Sequence, residues 1–211
     1  MTALVFALQP DQVCIAMDTL VVDANDKMPL CFQRKFAVFP QVNLVVAGTG
    51  LANLIYAWFS VLQSLPEQRA IDQINETAPF VLSSLANSCP GTDVTTTTLY
   101  HFGYSDRERQ YVGYAYRSEQ QFRADRLQYA LGYKPVVPVT PTDDIRFPGF
   151  LVDIVLEQQR QDQLLSVSEK VGVGGEIEFV VMSGGAIHVE TVYRFSSYEA
   201  ESNHIEQRTE A

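Results

Sequence analysis

Thr2, Asp18 and Lys35 are the residues of this chain whose types and spacing point most directly to chemistry. Removal of Met1 would give Thr2 a free α-amine beside its hydroxyl. Such a residue can be nucleophile and base at once, because the amine can take the hydroxyl proton directly or through one water. A chain that begins Met-Thr is common, and it is the later pair, Asp18 and Lys35, that makes Thr2 a candidate worth following.

The composition of the chain limits the classes of function that Thr2, Asp18 and Lys35 could serve. The chain has 211 residues, which fits one domain with a large core, and 46% of them are hydrophobic. A net charge of −10 argues against binding nucleic acid and against docking to an anionic membrane surface. The three cysteines lack CxxC spacing, so neither a disulfide framework nor a zinc site is indicated. We therefore predict a cytoplasmic protein with no cofactor and no metal.

Residues 36–66 carry no charge, which raises the question of a membrane span. They contain Pro40, two asparagines and a Gly-Thr-Gly turn, so they divide better into a buried strand, a turn and a buried helix. The start of the chain also lacks the positive region of a signal peptide. We therefore predict no span and no signal.

Elements that would position the three residues follow from the apolar pattern. The predicted strands pair as hairpins at residues 3–8 with 13–17, 35–39 with 44–47, and 177–182 with 186–195, and further strands are predicted at 95–102, at 110–116 and near 122. Both strands of the first hairpin are nearly continuous apolar runs, which predicts burial on both faces.

Helices are predicted between these strands. One follows Gly50 with an apolar stripe at Leu51, Leu54, Ile55, Trp58, Phe59 and Leu62. A second begins at Pro66 and should kink or divide at Pro79. A Pro-rich connection is expected at 131–144 and a third helix at about 147–165. We predict one domain over residues 1–198, with a frayed polar tail at 199–211. Two sheets packed face to face and covered by helices would satisfy this order of elements.

Five segments together share a pattern with a known family. They are the strand after Thr2, the Ala-Met-Asp segment at 16–18, the strand start at Lys35, the Val-Ala-Gly-Thr-Gly segment at 46–50, and the double glycine at 174–175. In these the chain resembles the proteasome-type branch of the N-terminal nucleophile hydrolases, which includes proteasome β-subunits and the ring-forming peptidases of bacteria. The resemblance implies an α+β fold, a four-layer αββα sandwich of two mainly antiparallel sheets flanked by helices. It also implies self-association into a ring or stacked rings, with peptide or unfolded protein as substrate; it does not identify a partner ATPase.

The resemblance assigns a role to each matching residue. Thr2 would be the nucleophile, and Asp18 follows it by the family spacing of sixteen residues. Lys35 matches the family lysine, with one extra residue in the loop before it; a lysine beside the nucleophile lowers the cost of proton loss, and the aspartate holds it in place. The amide of Gly48 would donate to the oxyanion, and Val46 would line the specificity pocket.

The sequence also departs from the family pattern. The family usually carries an aspartate and a serine just before the late double glycine, and the matching positions here hold Lys170 and Val173. Residues 131–135 stand where a Gly-Ser-Gly segment is expected. A retained Met1 would also occupy the amine of Thr2. The alternative function is therefore a catalytically silent subunit that keeps the fold as a scaffold or an assembly part.

Other residues offer competing interpretations. Arg34 would take the role of the lysine if the alignment were off by one residue. Gly91-Thr92 resembles a self-cleavage site. Cys14 and Cys89 are possible nucleophiles, although Cys14 lies in a buried run and is better explained as a small apolar residue. The three histidines are far apart and show no ligand spacing.

Overall fold

The computed structural model describes residues 2–65, 70–88, 97–139 and 145–209. Within these ranges the chain forms twelve strands and four helices. The strands are β1 Leu4–Leu8, β2 Gln12–Asp18, β3 Leu20–Val22, β4 Pro29–Phe32, β5 Phe36–Phe39, β6 Leu44–Thr49, β7 Thr98–Ser105, β8 Gln110–Arg117, β9 Ala124–Arg126, β10 Leu131–Lys134, β11 Glu176–Ser183 and β12 Ala186–Arg194. The helices are α1 Ala52–Ser64, α2 Ile71–Asn87, α3 Gly149–Leu164 and α4 Tyr198–Thr209.

The described strands form two five-stranded sheets and one two-stranded sheet. The first large sheet has the order β10-β1-β2-β11-β12, the second has the order β5-β6-β7-β8-β9, and β3 pairs with β4. Every pairing is antiparallel. These findings confirm the predicted α+β class with mainly antiparallel sheets.

The β1–β2 hairpin lies at the centre of the first sheet, where both faces are covered. Every residue of β1 is buried, and its side chains alternate between two apolar clusters. Phe6 faces the second sheet, whereas Val5 faces α3. This double burial explains why the strand is an uninterrupted apolar run rather than an alternating one, as the sequence predicted.

Three apolar clusters hold the sheets and helices together. The cluster between the two large sheets joins β1, β2 and β11 to β5, β6, β7 and β8, and it includes Leu4, Ile15, Ala47 and Phe102. A second cluster joins the β5–β9 sheet to α1 and α2. A third joins the β1–β2 hairpin and β11 to α3. The start of β1, the end of β2 and the start of β5 are therefore held against one another from both sides.

The helices follow their predicted stripes. In α1 the buried side chains are Leu54, Ile55, Trp58, Phe59 and Leu62, as predicted, whereas Leu51 precedes the helix and is half-buried. In α2, Pro79 lies inside a single helix that it does not divide. The flanking Ala78 and Leu82 are fully buried against the sheet, and this packing keeps the helix together although Pro79 donates no hydrogen bond. The predicted start at Pro66 lies outside the described residues.

Three elements differ from the expectation. The β3–β4 pair is short, and its pairing register shifts between Val21 and Val22, so its sequence does not show the alternating apolar pattern of a strand. The predicted connection at 131–144 begins with a strand, β10, beside β1. Gly132 in β10 hides the strand pattern, yet a Cβ there would meet the Phe6 ring at 2.3 Å, so the close approach requires glycine. The expected frayed tail instead forms α4, where Tyr198 stacks on Phe32 with ring centroids 4.5 Å apart.

Among the described helices, none has both the length and the apolar character needed to cross a membrane.

Candidate active site

Asp18, the last residue of β2, stands at the centre of the candidate site. Its carboxylate is completely buried. Oδ1 accepts the backbone amide of Ala3 at 2.9 Å, and Oδ2 accepts the Lys35 ammonium at 2.8 Å and the backbone amide of Gly174 at 3.3 Å. One carboxylate therefore joins the start of β1, the residue before β5 and the double-glycine segment.

Lys35 immediately precedes β5, and its side chain is 7% exposed. Besides Asp18, its Nζ donates to the carbonyl of Leu20 at 2.6 Å. Both ends of the buried ion pair thus have further hydrogen-bond partners, as a buried pair requires. Arg34 does not take this place, because it points to Glu178 on β11 and its side chain is 53% exposed.

Two opposing effects act on the Asp18 carboxyl. Burial raises its pKa, because the charged form loses its hydration. The Lys35 ammonium and the amides of Ala3 and Gly174 lower it again, since each of them stabilises the carboxylate. Burial is the larger effect, so the pKa of the Asp18 carboxyl stays above its ordinary value, and these donors limit that rise.

Thr2 precedes β1 and is 6% exposed. It lines two separate cavities. The first, of about 230 Å³, is called here the Lys35 cavity and is lined by Thr2, Lys35, Gly48, Gly50, Ile55, Tyr56 and residues of β3 and the loop after it. The second, of about 520 Å³, is called the Lys134 cavity and is lined by Thr2, Thr49, Lys134, residues 135–138 and parts of α3 and the loop after it. A reacting group at Thr2 would have space for a substituent in each cavity.

Gly48 lies on β6 and lines the Lys35 cavity together with Thr2. Its amide donates a long bond of 3.4 Å to the carbonyl of Lys35, so an oxyanion would compete with that acceptor. A Cβ on Gly48 would lie 2.7 Å from the side chain of Ile55 on α1. The absence of a side chain is thus explained by packing against the helix, and the oxyanion role stays a prediction.

Val46 does not line either cavity, and its assignment to the specificity pocket stays a prediction. Its side chain is fully buried in the cluster between the β5–β9 sheet and α1. Residues on a strand alternate between its faces, and Val46 shares the helix-facing side with Gly48. The apolar wall of the Lys35 cavity comes from Val21, Val22 and Ile55 instead.

Asp162, near the end of α3, was not predicted. It is buried, and its carboxylate accepts the backbone amides of Val171 at 2.5 Å, Gly172 at 3.0 Å and Val173 at 3.3 Å. It therefore shapes the loop in which the family aspartate and serine were missing. The available signal was an acidic residue that precedes a glycine-rich loop by nine residues. This signal is weak, because a carboxylate that binds backbone amides needs no particular side chain as its partner, and the sequence therefore does not show the contact.

Lys134 is a second residue that was missed. It lies opposite Leu4 in the β10–β1 pairing and lines the same cavity as Thr2. Burial lowers the pKa of its ammonium. No local pattern in residues 131–144 indicates this position, because only the pairing of β10 with β1 brings a residue so distant in sequence beside Thr2.

The double glycine holds the site from the opposite end of the chain. Gly175 has a φ of +76°, and a Cβ there would lie 2.4 Å from the hydroxyl of Thr19, so both conformation and space require glycine. Its amide donates to the carboxylate of Glu201 on α4 at 2.8 Å. The segment that supplies the Gly174 amide to Asp18 is therefore fixed by the C-terminal helix.

The competing nucleophiles receive no support. Cys14 is buried, and burial raises the pKa of its thiol, which disfavours the reactive thiolate. Cys89 and Gly91-Thr92 lie outside the described residues. Within the part of the chain that the structure describes, no group of three or more His, Cys, Asp or Glu side chains could hold a metal ion.

Comparison with known proteins gives no match among family models and none among curated proteins. Solved structures do match. Anbu (ancestral beta-subunit) from Yersinia bercovieri is similar over 99% of this chain and 93% of its own, with a TM-score of 0.62 and 13% identity. A Gly-1 mutant of Anbu from Hyphomicrobium sp. strain MC1 is similar over 100% of this chain and 95% of its own, with a TM-score of 0.62 and 14% identity.

These findings correct the family assignment made from the sequence. The assignment to proteasome β-subunits or bacterial proteasome homologues is wrong, because the structural matches named above are Anbu proteins, at 13 and 14% identity. Identity this low shows similarity of fold alone. The chain thus shares the fold of the Anbu structures.

Proposed function

We propose that this chain is an N-terminal threonine hydrolase that cleaves amide bonds, with Thr2 as nucleophile once Met1 has been removed. The observation that carries the proposal is the buried carboxylate of Asp18, which binds both the amide of Ala3 and the ammonium of Lys35. Nearly full burial of a charged pair is costly unless it is well bonded, so its position beside an N-terminal threonine supports a chemical use.

The reaction would proceed in two steps. The Thr2 hydroxyl attacks the carbonyl carbon, its α-amine takes the hydroxyl proton, and the oxyanion receives the Gly48 amide in place of the Lys35 carbonyl. The C–N bond then breaks, the proton passes from the α-amine to the leaving nitrogen, and an ester on Thr2 remains. Water attacks this ester with the α-amine as base, which releases the acid. Lys35 stabilises negative charge near the hydroxyl, and Asp18 positions Lys35.

Labelling by a threonine-directed peptide electrophile tests the proposal. The processed protein should gain the mass of the probe on Thr2, and Thr2→Ala should abolish labelling. Thr2→Ser should retain it, because a serine keeps both the hydroxyl and the amine. Thr191→Ala, at an exposed position of β12, serves as the matched control. Labelling that survives Thr2→Ala would refute the assignment.

Finer features belong to the same proposal. We propose a peptide or unfolded protein as substrate, since apolar side chains of β3 and α1 line the Lys35 cavity. We also propose the four-layer αββα arrangement, supported by the three successive apolar clusters. A single domain over residues 1–198 and a cytoplasmic location complete this proposal, and the free thiols of Cys14 and Cys31 suit a reducing compartment.

Self-association into a homo-oligomeric ring is a further part of the proposal. One structural neighbour is described as an ancestral beta-subunit, a term that suits a protein that works in an assembly. Phe80 on α2 is 81% exposed, which is unusual for a large apolar side chain and suits a contact between copies. Light scattering at micromolar concentration should give several times the chain mass, and a monomer would contradict this part.

The second candidate function is a catalytically silent subunit of the same fold. It is favoured by one observation, the bond from the Gly48 amide to the Lys35 carbonyl, which occupies the proposed oxyanion donor. Intact mass of the protein purified from its native host separates the two. Loss of one methionine would support the hydrolase, because it frees the Thr2 amine, whereas retention of Met1 would support the silent subunit.

A further inference from the structure

The Lys134 cavity contains two buried polar atoms that lack a partner. Among the described residues, the Thr49 hydroxyl and the Gln158 carbonyl oxygen Oε1 have no hydrogen-bond partner, although Thr49 is 1% and Gln158 is 0% exposed. An unpaired buried polar group is unfavourable, because it has lost its hydrogen bonds to water without gaining any in the protein. Both residues line the cavity that Thr2 also lines. A ligand there could satisfy both atoms.

The orientation of Gln158 is fixed. Its Nε2 donates to the carbonyl of Pro135 at 2.7 Å, so Oε1 is the atom left over, and it can only accept. The Asp162 carboxylate, which also lines the cavity, already binds three backbone amides. The remaining walls are largely apolar, with Val136, Val137 and Leu165 among them. The cavity therefore suits an apolar group that carries N–H donors.

Thr2 lies between the two cavities, and this position indicates which part of a substrate would occupy the Lys134 cavity. Gly48 and Lys35, the groups proposed to meet the developing oxyanion, line the other cavity. The acyl part then lies in the Lys35 cavity, and the leaving part extends into the Lys134 cavity. As the C–N bond breaks, the leaving nitrogen gains the proton that the Thr2 amine took from the hydroxyl. Acceptors in this cavity match a product with more N–H donors than the substrate had.

We propose that the Lys134 cavity is the leaving-group subsite, and that it selects peptides with an apolar residue directly after the cleaved bond. Thr49 and Gln158 accept the N–H groups of that residue, and the cavity of about 520 Å³ takes its side chain. This inference rests on the proposed hydrolase function. It excludes simple amides that release ammonia as preferred substrates, because they would leave the apolar cavity empty.

Calorimetric titration of full-chain Thr2→Ala with dileucine amide tests the subsite without turnover. We expect saturable binding that weakens about fivefold in Thr49→Val and in Gln158→Leu, as loss of one hydrogen bond predicts. The exposed positions Thr191→Val and Gln73→Leu are matched controls and should bind as the parent does. Thr49→Val removes a hydroxyl without a partner, so its melting temperature should not fall. Binding that is absent in the parent, or equal in all variants, would overturn the proposal.

A labelling measurement separates this outcome from failure of the hydrolase proposal. An electrophile with groups on the acyl side only should label Thr2 in the parent sequence, because it does not need the Lys134 cavity. Normal labelling without dileucine amide binding would overturn the subsite and leave the hydrolase standing. Binding without any labelling would show that the cavity takes the peptide, but it would refute the proposed catalysis and with it the role as a leaving-group subsite.

Discussion

The carboxylate of Asp18 accepts the backbone amide of Ala3 at 2.9 Å, so the residue after Thr2 is fixed by the same side chain that holds Lys35. A displacement of Lys35 would therefore be felt at the start of β1. Catalytic groups lose rate steeply when they are misplaced by about 1 Å, and shared anchoring on one buried group limits such errors.

The buried pair should respond asymmetrically to removal of its two members. Asp18→Asn should lower the free energy of unfolding by about 3–5 kcal/mol, because it leaves the Lys35 ammonium buried without a counter-charge. Lys35→Met should cost less, because the Asp18 carboxyl keeps the amides of Ala3 and Gly174 and burial already favours its neutral form. Urea unfolding measures both. Glu157→Gln, in an exposed pair on α3, should change nothing measurable, and equal losses at Asp18 and Lys35 would contradict the prediction.

Gly48→Ala should destabilise the protein by about 1–3 kcal/mol through overpacking against α1. The new Cβ would lie 2.7 Å from the Ile55 side chain. In the Ile55→Ala background the same substitution should cost much less, because the space is then open. A double-mutant cycle on urea unfolding measures this coupling, and strictly additive costs would mean that Gly48 is required for a reason other than packing.

Lys134→Met should move the acidic limb of the pH–rate profile to higher pH. The Lys134 ammonium lines a cavity with Thr2, and a nearby positive charge disfavours protonation of the Thr2 amine. Its removal raises the pKa of that amine, so less free base remains at a given acidic pH. Lys170→Met makes the same charge change outside both cavities and serves as control. The measurement is the pH dependence of kcat/KM with a fluorogenic peptide. An acidic limb that stays at the same pH or moves to lower pH in Lys134→Met would contradict the prediction.

Acidification should destabilise the protein partly through His101. Burial lowers the pKa of His101 to about 3 from its ordinary 6.5, and the Trp58 indole donates to its Nε2 at 2.9 Å. Between these two values the unfolded chain binds a proton that the folded chain does not, so stability falls as pH falls through that window. The loss from this group is about 3 kcal/mol at pH 4.

Fluorescence of Trp58, the single tryptophan, measures this unfolding. In His101→Gln the neutral amide cannot titrate, so the slope of stability against pH between 6.5 and 4 should be smaller than in the parent. His188→Gln, on the exposed strand β12, should leave that slope unchanged. The same slope in His101→Gln and the parent would show that His101 is not the group responsible.

Local patterns in the sequence were enough to predict the hairpins and α1. The β1–β2 strands are continuous apolar runs with turn residues between them, and the stripe of α1 repeats with the helical period. The position of Lys35 beside Asp18 was predicted by spacing and resemblance, and the two do meet. Such features can be predicted because they depend on residues that are near one another in the sequence, or on a spacing of residues that recurs among proteins of the same fold.

The features that the sequence did not predict depend on contacts between segments that are far apart in the chain. Lys134 reaches the site only because β10 joins β1, and Gly132 obscured that strand. Asp162 binds backbone amides, which every sequence contains equally. Val46 was assigned to the pocket by its position in a motif, which did not indicate that its side chain packs against α1. The register between strands and the face on which a side chain lies are set by the assembled sheets rather than by any one segment.

The bond from Gly175 to Glu201 ties the candidate site to the last helix of the chain. Asp18 receives its Gly174 donor across a separation of 156 residues, and the segment that supplies it rests on α4. Contacts of such long sequence separation form late in folding. A nascent chain that already displays Thr2 therefore lacks the arrangement around Asp18 until its end has been synthesised. If Thr2 is the nucleophile, as proposed above, the order of synthesis would keep it inactive while unfolded chains, including its own, are close at hand.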